Sequence, residues 1–343
     1  MILEVDGLQI HYKTSGGVVR AVDGASFAIP EGRIVGLVGE SGCGKTTAVR
    51  AIMGVLAENG RRAGGRVTFK GKPIDEATTR PLLWRDIAYV PQSAMSSLDP
   101  VYTVGTQIVE VLTKRGRYGR AAARARAAEL FDLVGLGESR LTDYPHQFSG
   151  GMRQRAAIAM ALALEPSLLL ADEPVTALDV IVQRQILDTL RALQQRLKLS
   201  MVLVTHDISV VAYLCDEVVV MYAGQVIESG PVREVLGQPR HPYTMGLRNA
   251  FPDLMSDALE LVPIAGSPPD LGDPPPGCRF TPRCPFALST CSSRPAAINS
   301  DRGGTGHNKT HVSACLRDGE ADQLRTSALD PVTWQRSSAY ATS

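Results

Sequence analysis

The sequence contains no apolar run close to the roughly 18 residues needed to cross a bilayer. Met1-Ile-Leu-Glu-Val-Asp6 also lacks the basic start and long apolar core of a secretory signal. The chain is therefore expected to have no membrane span of its own, to be soluble and to stay in the cytoplasm. Charge of one sign is missing too: 36 Lys and Arg nearly balance 35 Asp and Glu, so no global basic field points to nucleic acid. Cysteine is sparse, with six in 343 residues, and four of them lie after residue 277. That clustering argues against a disulfide framework and for a ligand site in a reducing compartment. The chain does have the apolar content for a real core, 44% of its residues, and a length that fits two or three domains, or one large domain with appendages.

The most informative stretch is Gly39-Glu-Ser-Gly-Cys-Gly-Lys-Thr-Thr47, which fits G-x-x-x-x-G-K-[ST]. Gly39, Gly42 and Gly44 let the backbone turn tightly enough to aim N–H groups at phosphate oxygens, and the helix that follows adds the positive end of its dipole. Lys45 can reach the β- and γ-phosphates, and the Thr46 hydroxyl can ligate Mg²⁺. Ser41, Cys43 and Thr47 complete the candidate phosphate-binding loop. It is preceded by Ile34-Val-Gly-Leu-Val38, an apolar run expected of a parallel strand buried on both faces.

Before this loop, residues 2–35 alternate apolar and polar positions around Ser15-Gly-Gly17, predicting an antiparallel sheet edge. Tyr12 lies on that edge, where its ring can stack on an adenine or simply pack. Short strands are expected in 64–74 and at Ile87-Ala-Tyr-Val90, ending at Pro91-Gln92. From about 93 to 165 the pattern turns helical, with Ala121 to Phe131 strongly helix-favouring. Ser149-Gly-Gly151 precedes an amphipathic helix beginning near Met152, as either a common turn or an anion-binding helix start. Leu168-Leu-Leu-Ala-Asp-Glu173 is a buried strand with two carboxylates at its C-terminal end. Asp172 suits Mg²⁺, and Glu173 suits the attacking water. His206 ends another buried strand, read in Met201-Val-Leu-Val-Thr-His-Asp207. Val218 to Tyr222 and Gln225 to Gly230 read as a closing hairpin.

The ordered set of the loop at Gly39–Thr46, Gln92, Ser149-Gly-Gly151, Asp172-Glu173, Ala177-Leu-Asp179 and His206 resembles the nucleotide-binding subunit of an ABC transporter over about residues 1–235. The resemblance implies an α/β P-loop NTPase with a mainly parallel core sheet, an antiparallel β edge, a helical subdomain at about 93–165 and a small C-terminal extension. It also implies that Tyr12 stacks on adenine, that Gln92 and His206 sense the γ-phosphate, that Ser149, Gly150 and Gly151 act across a head-to-tail dimer, and that Asp179 belongs to the nucleotide-binding set. Met152 departs from the glutamine most common after the two glycines. Phe148 to Arg155, Met95-Ser-Ser-Leu-Asp-Pro100, His241-Pro-Tyr-Thr244 and Gly266-Ser-Pro-Pro-Asp270 further resemble the dipeptide/oligopeptide branch of bacterial importers, which also includes nickel importers. A related second ATPase subunit, two transmembrane permease subunits and an extracytoplasmic substrate-binding protein are then expected partners. The cytoplasmic face of the membrane is the expected location, peptide the expected cargo, and nickel or haem the alternatives. A soluble ABC ATPase of DNA repair or translation would share the motifs, but usually carries two cassettes or long coiled-coil inserts, which are not seen here. In a P-loop kinase the Ser-Gly-Gly turn would have no role.

Residues 236–277 are proline-rich and read as an extended arm leading to a cysteine-bearing module that ends near 320; 321–343 read as a mobile tail. Cys278, Cys284, Cys291 and Cys315 are spaced Cys-x5-Cys-x6-Cys-x23-Cys. From spacing alone an iron–sulfur cluster, Zn²⁺ and no metal all stand, because the close cysteine pairs of zinc modules are missing. Gly277-Cys-Arg-Phe-Thr-Pro-Arg-Cys-Pro285 resembles the C-terminal motif of the dipeptide/oligopeptide ATPases, which implies a [4Fe-4S] cluster in a structural role.

Overall fold

The computed structural model describes residues 1–92, 97–250, 263–293, 298–299 and 311–335. Its strands are β1 (Leu3–Thr14), β2 (Gly17–Ile29), β3 (Ile34–Val38), β4 (Gly60–Phe69), β5 (Lys72–Ile74), β6 (Ile87–Val90), β7 (Leu168–Asp172), β8 (Ser200–Thr205), β9 (Glu217–Tyr222), β10 (Gln225–Pro231), β11 (Ile298–Asn299) and β12 (Val312–Ser313). The helices are α1 (Lys45–Ile52), α2 (Glu76–Thr79), α3 (Val104–Lys114), α4 (Arg120–Leu133), α5 (Gly150–Ala161), α6 (Val180–Leu197), α7 (Ile208–Leu214), α8 (Val232–Gly237), α9 (Pro242–Asn249), α10 (Ala321–Ala328) and α11 (Pro331–Gln335).

Two sheets carry the architecture. The larger has the order β11-β12-β10-β9-β3-β8-β7-β6, with β9, β3, β8, β7 and β6 running parallel and β10 antiparallel to β9. The smaller is antiparallel, in the order β2-β1-β4-β5. Side chains alternate across a strand, so the continuous apolar runs of the parallel strands serve two cores at once. Ile34, Leu169, Met201 and Leu203 face a core shared with the helices, whereas Val35, Leu37, Leu168, Val202 and Val204 face one shared with α1 and the antiparallel sheet. This sandwiching fixes the C-terminal ends of β3, β7 and β8, where the candidate site residues sit.

Between β6 and β7 the described residues form helices and short 3-10 turns, as the helical reading of 93–165 expects. In α4 the buried residues Ala123, Ala127, Leu130 and Phe131 recur at helical spacing, so one stripe packs; Arg120 and Arg124 stay exposed, while Arg126 lies beside the stripe and pairs with Glu129 and Glu165. Residues 93–96, which include the start of the Met95–Pro100 segment, lie outside the described residues.

Two expectations for the C-terminal part need correction. The proline-rich arm is not simply extended: Pro242 occupies the first turn of α9, where its missing N–H is tolerated, and His241 caps that helix through Nδ1, 3.1 Å from Tyr243 N. Nor are residues 321–335 a mobile tail. Ala321, Leu324, Ala328 and Trp334 are buried; Trp334 Nε1 donates to Ala328 O at 2.8 Å, and Asn249 Nδ2 donates to the same carbonyl at 2.6 Å. A sparse apolar stripe in a polar stretch folds here because α9 supplies the other half of the contact. Residues 251–262 and 336–343 lie outside the described residues.

Candidate functional site

The loop after β3 is shaped by glycines that nothing else can replace. Gly44 has φ 102°, and a Cβ there would lie 2.3 Å from the Ala21 carbonyl oxygen. Gly44 is also the N-cap of α1 and offers no side chain to its first amides, which leaves those donors to a ligand. Lys45 is buried, and its ammonium donates to the carbonyls of Gly39 at 2.7 Å and Glu40 at 2.8 Å. It thus lies folded against the loop, with no carboxylate among its hydrogen-bond acceptors. A buried ammonium held by neutral groups, next to free helix amides, suits phosphate oxygens. Ser41 lines the adjoining cavity. Cys43 is buried, and burial is the leading cause that pushes its thiol up.

The ends of β7 and β8 bring the carboxylates to this loop. Thr46 Oγ1 donates to Asp172 Oδ1 at 3.2 Å, and Tyr89 OH donates to Asp172 Oδ2 at 3.1 Å. Burial raises the Asp172 carboxyl above its ordinary value, against the pull of the two hydroxyls. Burial and the neighbouring Asp172 charge push Tyr89 up to about 12, so it stays a donor. A nearly inaccessible carboxylate beside a threonine hydroxyl is a donor set that a divalent cation would relieve electrostatically.

Glu173 follows with φ 47°, a conformation uncommon outside glycine and held by its amide donating to Val204 O at 2.8 Å. Its carboxylate is the meeting point of the site. Gln92 Nε2 donates to Oε2 at 2.9 Å, Thr176 Oγ1 donates to Oε2 at 3.0 Å, and His206 Nδ1 lies 3.1 Å from Oε1. Burial pushes this carboxyl up, but the bonds from His206, Thr176 and Gln92 outweigh it and leave the group below its ordinary value. It is therefore ionised at neutral pH and oriented, as proton acceptance from water requires. Glu40, Ser41, Gln92, Glu173 and His206 share one open cavity of about 470 Å³.

The other sequence candidates sit elsewhere. Ser149 caps α5 by accepting from Met152 N at 3.3 Å, and Asp179 caps α6 by accepting from Val182 N at 2.9 Å. A Cβ on Gly151 would meet Val182 Cγ1 at 2.4 Å, so the two helix starts are packed together. Neither cap lines the 470 Å³ cavity. Tyr12 is half-buried, and its ring lies over Gly60, where a Cβ would come within 2.5 Å. Tyr89 and Thr176 were passed over by sequence reasoning. Tyr89 could have been found from its place three residues before Gln92, at the end of a strand beside β7; Thr176 has no such signal.

Cys278, Cys284, Cys291 and Cys315 line one small cavity of about 20 Å³, together with Phe280 and Phe286. Burial pushes the thiols of Cys278 and Cys284 up and Cys315 to about 12. Among the described residues no group of three or more His, Cys, Asp or Glu is arranged to hold a metal ion as it stands. The cavity has room for about one water molecule, so a four-iron cube would require the thiols to spread.

A threonine of the phosphate loop bonded to a strand-end aspartate, on a parallel sheet flanked by an antiparallel sheet and a helical arm, defines an ABC-type P-loop ATPase. Comparison with known proteins agrees. Residues 22–176 match the family model described as ABC transporter, and residues 227–291 match that of the oligopeptide/dipeptide transporter C-terminal region. The dipeptide transport ATP-binding protein DppD of Bacillus subtilis is 44% identical over 84% of this chain and 88% of its own length. The oligopeptide transport ATP-binding protein OppD of Salmonella typhimurium is 45% identical over 86% and 89%. A dimeric bacterial ABC transporter cassette superposes with TM-score 0.60 and 28% identity, over 67% of this chain and 99% of that one. The chain belongs to the ATP-binding subunits of the dipeptide/oligopeptide ABC importers, and it is an ATPase whose hydrolysis is coupled to transport.

Proposed function

We propose that this chain hydrolyses ATP to power the import of dipeptides or oligopeptides, with Glu173 acting on the attacking water. The observation that carries this reading is the Glu173 carboxylate, ionised and held by Gln92, Thr176 and His206 beside the loop of Lys45 and Thr46. ATP would lie with its phosphates along Gly39, Ser41, Gly42, Cys43, Gly44, Lys45, Thr46 and Thr47, and its adenine on Tyr12. Thr46, Asp172 and Gln92 would hold Mg²⁺, which neutralises phosphate charge when bound. Lys45 and the loop amides stabilise charge on the transferred phosphoryl group, and His206 holds the γ-phosphate geometry.

Ser149, Gly150, Gly151 and Asp179 serve the site of a second, related ATPase subunit in a heterodimer. Their absence from the cavity around Glu173 supports this reading. The pair works on two permease subunits fed by an extracytoplasmic binding protein, so this chain sits peripherally on the cytoplasmic face of the bacterial membrane. Among the described residues no helix is long and apolar enough to cross a membrane. The complex with its permeases, reconstituted in vesicles, is expected to take up labelled peptide on ATP addition. Uptake of nickel or haem instead of peptide would overturn the cargo assignment.

The four C-terminal cysteines are proposed to hold a [4Fe-4S] cluster that clamps the small module, with Zn²⁺ as the alternative occupant of the same thiols. Their convergence on one cavity supports a shared ligand. Anaerobic purification with iron, sulfide and zinc analysis decides: stoichiometric zinc without sulfide would overturn the cluster.

A further inference from the structure

The phosphate loop is gripped from the far end of the chain. Arg283, with its side chain only 7% exposed, reaches Glu40, the residue between Gly39 and Ser41. The contact is a fork: Nη1 lies 2.8 Å from Glu40 Oε2 and Nη2 lies 3.1 Å from Oε1. The remaining donors of Arg283 are also used. Nε donates to Ala265 O at 2.9 Å, Nη2 to Ile264 O at 3.2 Å and Nη1 to Tyr222 OH at 3.3 Å. Glu40 is held at its other groups too, since its amide donates to Tyr243 OH at 3.0 Å and its carbonyl accepts from Lys45. Tyr222, Tyr243 and Phe280 pack against one another with ring centroids 4.6 to 5.4 Å apart, giving these grips a stiff floor.

A glutamate inside a phosphate-binding loop is an electrostatic liability. Its charge sits beside the place where a polyanion binds, and in partly buried surroundings that repulsion is poorly screened. A bidentate arginine neutralises it and fixes the loop in one shape before the ligand arrives, which lowers the cost of ordering on binding. The same guanidinium holds Ile264, which with Leu247 and Pro263 lines the 470 Å³ cavity that Glu173 and His206 also line. We propose that Arg283 is a positioning residue for ATP binding: by neutralising and fixing Glu40 it sets the affinity of the phosphate loop, and so ties the segment Cys278–Cys284 to the nucleotide site. The proposal rests on the loop being the ATP site, which the wild-type chain tests separately by binding ATP.

The test is equilibrium binding of ATP, ADP and AMP to the full chain and its variants, with a melting curve for each. Arg283→Gln is expected to weaken ATP about tenfold, with the loss shrinking from ATP to ADP to AMP as ligand charge falls. Glu40→Gln added to Arg283→Gln is expected to recover most of that loss, because the unpaired charge is gone. A merely structural contact would not produce this charge-graded loss or its recovery. ATP binding within twofold of wild type in folded Arg283→Gln, or a double variant no better than Arg283→Gln, overturns the proposal. Should Arg283→Gln not fold, Arg283→Lys keeps the charge without the fork and is expected to weaken ATP about threefold; unchanged affinity there overturns it as well.

Discussion

The phosphate loop and the C-terminal extension both gather residues that are distant in sequence, but they use different bonds to do so. Around the loop, the scaffold is backbone: parallel pairing of β3 with β8 and of β8 with β7 sets the ends of the strands side by side, and Lys45, Asp172, Glu173 and His206 are delivered by those ends. In the extension, side chains do the gathering. Arg283 reaches Glu40, Arg279 reaches Asp23 at 2.6 Å, and the buried Glu228 takes His311 Nε2 at 2.7 Å and the amides of Arg240 and His241. Where strand pairing carries the frame, as at Asp172 and Glu173, loss of one side-chain contact removes chemistry before geometry. A region held by buried charge pairs loses geometry when a single partner goes.

Substitutions in the two regions separate these behaviours. The largest effect is expected at the loop: Glu173→Gln should lower hydrolysis at least about a hundredfold while ATP binding stays, because the base is lost and the backbone frame is not. Phosphate release and nucleotide binding measured on the same sample check this, and wild-type turnover would sink the assignment. In the extension, Trp334→Ala should cost about 3 kcal/mol, since a buried indole wedged over Gly246 and against Phe286 is removed; thermal or denaturant unfolding measures it. His206→Ala should lower turnover about tenfold with little change in melting temperature, as the ring is half exposed and bonded to Glu173 rather than packed. An equal fall in stability would mean the histidine is structural.

The smallest effect expected is a pH slope from His241. Burial lowers its pKa from 6.5 to about 3, so it is neutral in the fold and takes up a proton on unfolding at any pH between those values. The unfolded state binds more protons there, and stability falls as pH drops from 6.5 toward 3. His241→Asn retains a short polar cap for Tyr243 N and should flatten that part of the curve in denaturant titrations at stepped pH. An unchanged slope would remove His241 from the account.

The parts of this protein whose information is local were legible in the residues alone. A glycine-rich loop between an apolar run and a helix, carboxylates at the end of the strand read in Leu168–Glu173, a helix start after Ser149-Gly-Gly151 and the helix-favouring run Ala121–Phe131 each need only neighbouring residues to be read, because periodicity and turn chemistry act over a few positions. The rest came from long-range packing. It put Tyr89 on Asp172, joined Gln92, Thr176 and His206 on one carboxylate, and drew four separated cysteines around one cavity. It also folded 321–335 against α9 and set Arg283 on a glutamate 243 positions earlier. The physical reason is that a side-chain ion pair or a shared apolar contact has no period in the chain. Its partner is chosen by where the sheets and helices leave it, and that is settled only when they pack.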